Sequence, residues 1–226
     1  MKILPRLSHE NARAYAVRVL LYNIVNLELV PGSSISENEL SIALSLSRTP
    51  IREALIELSR LELVEILPQR GSYVSKISYE QIEESRFIRL VMETAVLKLV
   101  CQQGISQSYL DAFEDNLNRQ RSCHSKENIE LSLQIDDEFH RLIFESVNKL
   151  RTYHVIKREM LQFDRLRTLS TTSGASRHTI QDHEDILYAI RRQDAELAEM
   201  LLTRHLTRHR MEKEELMALH PDYFVD

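Results

Sequence analysis

The chain has 226 residues, with 43% hydrophobic and 28% charged residues, four glycines, five prolines and two cysteines. This length suits one or two domains, and the scarcity of glycine and proline favours a mostly helical fold. The net charge of −5 excludes a protein that coats nucleic acid through a generally basic surface. The cysteines are too few for a disulfide framework, and no apolar run is long enough to predict a membrane span. We therefore expect a soluble, cytoplasmic protein.

The charge is distributed unevenly along the chain. Residues 1–76 are close to neutral, and the excess of acidic residues lies in the remainder. The hydrophobic pattern also changes near residues 75–78, because no strand period is found beyond them. We therefore predict two domains, residues 1–76 and residues 77–226.

The first predicted domain opens with a helix over residues 8–29, which a Pro-Gly pair ends. Ser36 and Glu39 then form an S-x-x-E capping box, in which each side chain bonds the backbone N–H of the other residue. The next helix is therefore predicted to begin at Glu37. It is short, because a polar turn follows at residues 45–47.

A third helix is predicted after this turn, with Ser47 or Thr49 as its N-cap. Its apolar stripe at helical spacing consists of Ile51, Ala54, Leu55 and Leu58. Arg48 and Arg52 are four residues apart and share a different face. We expect both guanidinium groups on the exposed flank of this helix and not against the protein's own carboxylates. The alternative is that they are ordinary solvated helix charges.

A strand period over residues 63–66, turn residues at 68–71 and a return strand from Tyr73 predict a hairpin with a basic tip. Two short helices followed by such a hairpin are typical of a winged helix-turn-helix. In that fold the second helix of the motif enters the major groove of DNA.

The second predicted domain is all-helical. A capping box at Ser78 and Gln81 opens its first helix. The predicted helices cover residues 79–102, 106–122, 126–148, 150–169, 176–192 and 194–217. These are six helices, or seven if one kinks, and they predict a bundle whose sites are built from inward side chains. The fold class is therefore mostly α, with an N-terminal winged helix-turn-helix and a C-terminal helical bundle.

Four polar residues fall on the inward, apolar stripes of three predicted bundle helices: Asp136, His140, His183 and His205. Burying a carboxylate and three imidazoles without partners is costly, and a divalent cation would remove that cost. Three nitrogen ligands and one oxygen ligand favour Zn, Ni, Mn or Fe(II) over Ca or Mg. Two alternatives stay open: a plain hydrogen-bond network, and Asp137 in place of Asp136.

Two further bundle residues are candidates for binding a small molecule. Arg89 could anchor the carboxylate of an effector by a bidentate contact, or it could form an intrahelical ion pair with Glu93. Asn148 could line the pocket, or it could cap the C-terminus of its helix.

The segments PGSSISENEL, SRTPIREAL and PQRGSYV resemble the N-terminal module of the GntR family of bacterial transcription regulators. The resemblance implies that Arg48, Thr49 and Arg52 lie on the recognition helix. It assigns Gln69, Arg70 and Gly71 to the wing. Many relatives carry arginine where this chain has Asn38, so we expect a weaker or different DNA contact there.

The segments LQIDDEFHRLIFESVNK, QDHEDILYAIRRQDAELA and LLTRHL resemble the FCD effector domain of the FadR branch of that family. Many members of this branch use a D-x3-H pair and two later histidines as a metal site. The residues at those positions here are Asp136, His140, His183 and His205. Members also use an arginine in the first bundle helix, where Arg89 stands.

These expectations together predict a transcription regulator that binds a palindromic operator in double-stranded DNA as a homodimer. A small carboxylate metabolite would bind at a divalent transition metal in the bundle. We expect this effector to relieve repression. The alternative is a metal-dependent enzyme in a helical bundle. The sequence offers no activated Ser or Cys nucleophile and no H-E-x-x-H motif, so we do not expect an enzyme.

Overall fold

The computed structural model describes residues 1–123, 128–172, 179–207 and 213–225. Within these residues the chain is mostly helical, with one small sheet near the N-terminus, which confirms the predicted fold class. The N-terminal elements are α1 (Ala12–Val25), β1 (Ser34–Ile35), α2 (Glu37–Leu44), α3 (Arg48–Arg60), β2 (Val64–Leu67) and β3 (Gly71–Val74). The bundle elements are α4 (Tyr79–Gln103), α5 (Gln107–Ser122), α6 (Ile129–Ser146), α7 (Leu150–Glu159), α8 (Leu161–Thr172), α9 (Thr179–Arg191), α10 (Ala195–Thr207) and α11 (Lys213–Leu219), followed by a 3-10 helix at Pro221–Tyr223.

The Ser36 cap places the start of α2 where the sequence predicts it. The Ser36 side chain accepts a hydrogen bond of 3.3 Å from the backbone N–H of Glu39. Helix α3 begins at Arg48 with Ser47 at its N-cap position, so Ser47 and not Thr49 precedes the helix. Helix α1 begins later than predicted because the Asn11 side chain caps the N–H of Ala14 at 2.8 Å, and it ends earlier, at Val25.

The three strands form an antiparallel sheet in the order β1-β3-β2. Strand β3 is central, and its Tyr73 pairs with Ser34 on one side and Glu65 on the other. The sequence did not predict β1, because two residues are too short to show a strand period. Helices α1 and α3 pack on each other, and the apolar stripe predicted for α3 is fully buried between them and the sheet.

The bundle departs from the prediction at one internal break. The predicted helix over residues 150–169 divides at Met160 into α7 and α8. The carbonyl of Glu159 accepts a hydrogen bond of 2.6 Å from the side chain of Ser85 on α4. This tertiary bond satisfies a backbone acceptor that a continuous helix would satisfy internally. The predicted ends near residues 125 and 173–174, and the middle of the predicted helix over 194–217, lie outside the described residues.

Helix α8 contacts both the N-terminal elements and the bundle. The Gln162 side chain donates to the carbonyl of Glu62 at 2.9 Å, and the buried Arg165 donates to the carbonyl of Ser75 at 2.6 Å. Within the bundle core, a β-bridge between Ile77 and Phe224 pairs the segment after β3 with the C-terminal segment. Among the described helices, none combines the length and the apolar character that crossing a membrane requires.

Candidate metal centre and nucleic-acid interface

The four residues predicted as metal ligands come together in the bundle interior. One ligand atom from each of Asp136, His140, His183 and His205 lies within 4.8 Å of the others. The Nε2 atom of His205 is 3.3 Å from Nε2 of His183 and 3.3 Å from Nε2 of His140. An oxygen of Asp136 is 3.6 Å from Nε2 of His183. The three rings therefore present the same nitrogen to one point.

The tautomer of His183 follows from a chain of hydrogen bonds that ends on a backbone carbonyl. The Asn116 amide nitrogen donates to the carbonyl of Ile135 at 2.9 Å, so its amide oxygen faces Gln120. That oxygen accepts from the Gln120 amide nitrogen at 2.7 Å, which turns the Gln120 oxygen toward Nδ1 of His183 at 3.0 Å. Nδ1 must then carry the proton, because an amide oxygen only accepts. The Nε2 atom of His183 holds a lone pair.

Carboxylates fix the tautomers of the other two imidazole rings in the same way. Nδ1 of His140 lies 2.8 Å from Glu93, and Nδ1 of His205 lies 3.4 Å from Asp182. Because carboxylates are acceptors, each Nδ1 donates and each Nε2 is left with its lone pair. In a plain hydrogen-bond network, one Nε2 would have to donate to another. That ring would either carry its proton on Nε2 and lose its Nδ1 bond, or carry protons on both nitrogens.

Burial opposes that second proton. It lowers the pKa of His140, and the neighbouring Glu93 carboxylate only partly opposes the shift. Burial also lowers the pKa of His183 well below its usual value, and the nearby His205 and His140 lower it further. At neutral pH these two rings are therefore neutral. Three lone pairs and a carboxylate directed at one point fit a divalent cation.

Asp136, and not Asp137, is the carboxylate of this cluster. Although burial alone would raise its pKa, the Arg167 guanidinium and the nearby histidines hold the pKa of Asp136 at about 2. Arg167 donates to Asp136 and, at 2.7 Å, to Asp137. Asp137 also accepts from Lys157 at 2.9 Å. It therefore belongs to an adjacent ion-pair network.

Of the two candidate effector residues, only Arg89 faces the bundle interior. Its Nε donates to Glu93 at 2.6 Å, so the predicted intrahelical pair is present and buried. Its charge also contributes to lowering the pKa of Asp136 and His183, as expected for a group near the cluster. Asn148, by contrast, is exposed, has φ +58° and follows the end of α6. The structure thus favours the helix-ending interpretation of Asn148 over the pocket-lining one.

The residues of α2 and α3 that are assigned to DNA contact are all exposed. Arg48, Thr49 and Arg52 are exposed on α3, and Asn38 is exposed on α2. Arg48 has no ion pair with any residue that the structure describes. Arg52 differs from our expectation, because its guanidinium forms a two-point contact with Glu37, at 3.1 Å and 2.9 Å. The Arg52 side chain nevertheless stays 66% exposed, so the contact does not turn it away from solvent.

The wing is a tight exposed turn between β2 and β3. Gln69, Arg70 and Gly71 are all exposed at its tip. Gln69 has φ +62° and Gly71 has φ +105°, and the second value is one that side-chain-bearing residues rarely adopt. The geometry therefore requires glycine at position 71 and presents Arg70 outward.

The partners that orient the histidines were not predicted: Glu93 for His140, Gln120 for His183 and Asp182 for His205. Gln120 could have been predicted from the sequence, because Asn116 and Gln120 are amides four residues apart on the inward face of α5. The other two partners depend on which helices are neighbours. Helical spacing alone does not give that information.

Family models match both parts of the chain. The model for bacterial regulatory proteins of the gntR family matches residues 15–74, and the FCD domain model matches residues 84–208. The chain belongs to the GntR family and carries an FCD domain. The boundary between the domains, placed at residues 76 and 77, stays a prediction.

Relatives with described roles agree with this membership. The chain is similar to the HTH-type transcriptional repressor RspR of Escherichia coli (strain K12), with 33% identity over 190 residues, which are 84% of this chain and 83% of the relative. It is 29% identical over 188 residues to the Nta operon transcriptional regulator of Aminobacter aminovorans, covering 82% of this chain and 86% of that protein. The chain is therefore a DNA-binding transcription regulator with repressor-like relatives.

Solved structures share the fold. E. coli McbR/YncC matches 93% of this chain and 99% of its own length, with a TM-score of 0.68 and 18% identity. A GntR-type putative transcriptional regulator from Rhodococcus sp. RHA1 matches 91% of this chain and 97% of its own, with a TM-score of 0.70 and 21% identity. Because the family consists of transcriptional regulators, the alternative of a metal-dependent enzyme is not supported.

Replacing Arg167 by Met should destabilise the metal-free protein. It leaves Asp136 without its cation, whereas Asp137 and Asp164 keep Lys157, and breaking a buried ion pair costs about 3–5 kcal/mol. The pKa of Asp136 is about 2 in the folded protein against an ordinary 3.8. The ion pair therefore stabilises the fold fully when the pH is above 3.8, and this stabilisation is lost as the pH falls toward 2.

We expect the difference in unfolding free energy between wild type and Arg167→Met to be largest near neutral pH and to shrink below about pH 4. Urea denaturation in the presence of a chelator measures it. Arg141→Met is the matched control, since Arg141 pairs with Glu145 on the same helix but is 38% exposed. A pH-independent loss would contradict the assigned cause.

Proposed function

We propose that this protein represses transcription by binding a palindromic operator as a homodimer, and that a small carboxylate metabolite bound at a divalent metal in the bundle weakens operator binding. The observation that carries the proposal is the convergence of three Nε2 lone pairs and one carboxylate in a domain joined to an exposed winged helix. A regulator with both features can link metabolite binding to DNA binding.

The metal would be held by Asp136, His140, His183 and His205. Three imidazole nitrogens and one carboxylate oxygen favour Zn, Ni, Mn or Fe(II). When bound, the cation supplies positive charge and coordination positions that a carboxylate oxygen can occupy. Glu93, Gln120 and Asp182 keep the rings in the tautomer that offers Nε2.

Arg89 is our candidate for the second contact to an effector. Its Nε bonds Glu93, and its two terminal nitrogens make no hydrogen bond to residues the structure describes. These two nitrogens form a fork that matches a carboxylate. Recognition by a cation on one side and a guanidinium on the other favours a small organic acid.

Helix α8 supports a link between the two sites. Arg167 bonds Asp136 at the cluster, and Arg165, two residues earlier, bonds the carbonyl of Ser75 at the end of the wing strand. Arg165 is fully buried, and burial lowers its pKa to about 10. A ligand that shifts Asp136 would therefore act on a helix whose other face holds the DNA-binding elements. The effector must bind the two dimer geometries with different affinity for this link to regulate DNA binding.

Operator recognition would use two copies of α3. In a two-fold dimer the recognition helices lie about 34–36 Å apart and read the halves of a palindrome. Arg48 and Arg52 are suited to guanine or to phosphate, and Arg70 on the wing would contact the backbone or an adjacent groove. A protein acting on chromosomal DNA in this way would work in the bacterial cytoplasm.

His183→Ala should reduce metal retention by orders of magnitude, because the ring is completely buried and its Nε2 lies 3.3 Å from Nε2 of His205 and 3.6 Å from an oxygen of Asp136. Elemental analysis after metal repletion and dialysis measures the metal content. His154→Ala is the matched control, since His154 is exposed on α7. Wild-type protein that holds no stoichiometric metal after repletion would refute the metal proposal. Operator affinity without effector should be nearly unchanged.

Arg52→Ala should weaken binding to the operator by about 1–3 kcal/mol and relax discrimination at one base pair. Fluorescence anisotropy with a duplex selected from random-sequence DNA by the wild-type protein measures both effects. Arg192→Ala, which removes an exposed arginine next to α9, is the control and should bind as wild type. Unchanged affinity of Arg52→Ala would mean that α3 does not read the groove through this residue.

Arg89→Lys should weaken binding of the effector at least tenfold while metal content stays at the wild-type level. Lysine keeps the charge beside Glu93 but loses the planar fork. Calorimetry with a panel of hydroxy, 2-oxo and sugar acids, on metal-replete protein, identifies a binding acid and then compares the variant. Equal affinity of both proteins for that acid would remove Arg89 from the effector site.

A further inference from the structure

Glu37 and Arg52 join the two helices of the helix-turn-helix. Glu37 is the first residue of α2, and Arg52 lies one turn inside α3. Nε of Arg52 is 3.1 Å from one carboxylate oxygen of Glu37, and Nη2 is 2.9 Å from the other. The contact lowers the pKa of Glu37, so the carboxylate is charged at neutral pH.

This contact uses one edge of the Arg52 guanidinium and leaves the other edge free to bind DNA. A guanidinium has a side edge, formed by Nε and one terminal nitrogen, and an end edge, formed by both terminal nitrogens. Glu37 takes the side edge. The end edge is the one that can bond O6 and N7 of guanine in a bidentate fashion, and the Arg52 side chain is 66% exposed.

We propose that Glu37 is a positioning residue that fixes Arg52 for a guanine and so sets sequence specificity. The proposal rests on the proposed function, because it takes α3 as the recognition helix. An unrestrained arginine loses rotamer entropy when it binds a base. Glu37 removes part of that cost beforehand and restricts the directions in which the free edge can point.

The charge of Glu37 adds a second effect. A carboxylate next to the DNA repels phosphates, so it weakens binding to any sequence. On DNA that presents the guanine to Arg52, the preorganised contact offsets this repulsion. On other sequences the repulsion is not offset. Arg48 has no such partner among the described residues, so the two arginines differ in their freedom although they are four residues apart.

A purely structural role is the competing explanation. An exposed ion pair between α2 and α3 could only stabilise the motif, and such pairs contribute little. A structural role would change folding stability without changing which base is preferred. Base discrimination therefore separates the two explanations.

The test compares Glu37→Gln, Arg52→Ala and the double variant with Glu39→Gln. Glu39 is the matched control, because it is an exposed glutamate in the same helical turn with no ion pair to a described residue. The probes are the duplex selected by the wild-type protein, single-base variants of it, and unrelated DNA. Circular dichroism verifies that all variants are folded at the assay temperature.

We expect Glu37→Gln to reduce the preference for guanine at least fivefold at the one base pair that Arg52→Ala identifies. The double variant should match Arg52→Ala. Both glutamine variants should bind unrelated DNA slightly better than wild type does. If Glu37→Gln discriminates bases as well as Glu39→Gln does, while Arg52→Ala has lost discrimination, only the positioning role is overturned. If Arg52→Ala itself keeps full discrimination, the recognition-helix assignment fails as well.

Discussion

Three imidazole rings whose lone pairs point at one place form the constraint around which the bundle is organised. His140, His183 and His205 come from α6, α9 and α10, and the groups that orient them add α4 and α5. Adjacent lone pairs repel in a low-dielectric interior, and burial keeps His140 and His183 from accepting a second proton. The packing of five helices thus creates a local electrostatic cost that a cation would relieve. A cation bound there, as we propose, would also link the helices that carry its ligands.

Helix α8 connects this centre to the DNA-binding elements. Arg167 and Arg165 lie two residues apart, so they point to nearly opposite sides of the helix. One side holds Asp136, and the other holds the backbone of Ser75 without a carboxylate partner among the described residues. A buried guanidinium held only by neutral acceptors tolerates little displacement, because losing one bond leaves a charge unsatisfied. Movement of α8 would therefore be passed to the end of β3 rather than absorbed.

The sequence predicts features that depend on near neighbours in the chain and misses those that depend on packing. The capping box at Ser36 placed α2 correctly, and helical spacing placed Asp136 and His140 on one inward face, because both rules act within one or two turns. The division of α7 from α8 was missed, because it depends on Ser85, which is 74 residues away. The partners of the histidines were missed for the same reason. They belong to neighbouring helices whose order in space has no local signature.

The contact between Arg52 and Glu37 also bears on why a nearly neutral domain can select its DNA. With Arg52 engaged by a carboxylate, attraction to any duplex rests more on Arg48 and Arg70, which have no ion pair among the described residues. Each cation that is paired with a carboxylate would lower the non-specific affinity, since that affinity scales with the number of phosphates neutralised. The ratio of specific to non-specific binding then depends on directional contacts rather than on total charge. In the homodimer that we propose, a small change in dimer geometry would then be enough to release the operator, because little non-directional attraction would remain to hold it.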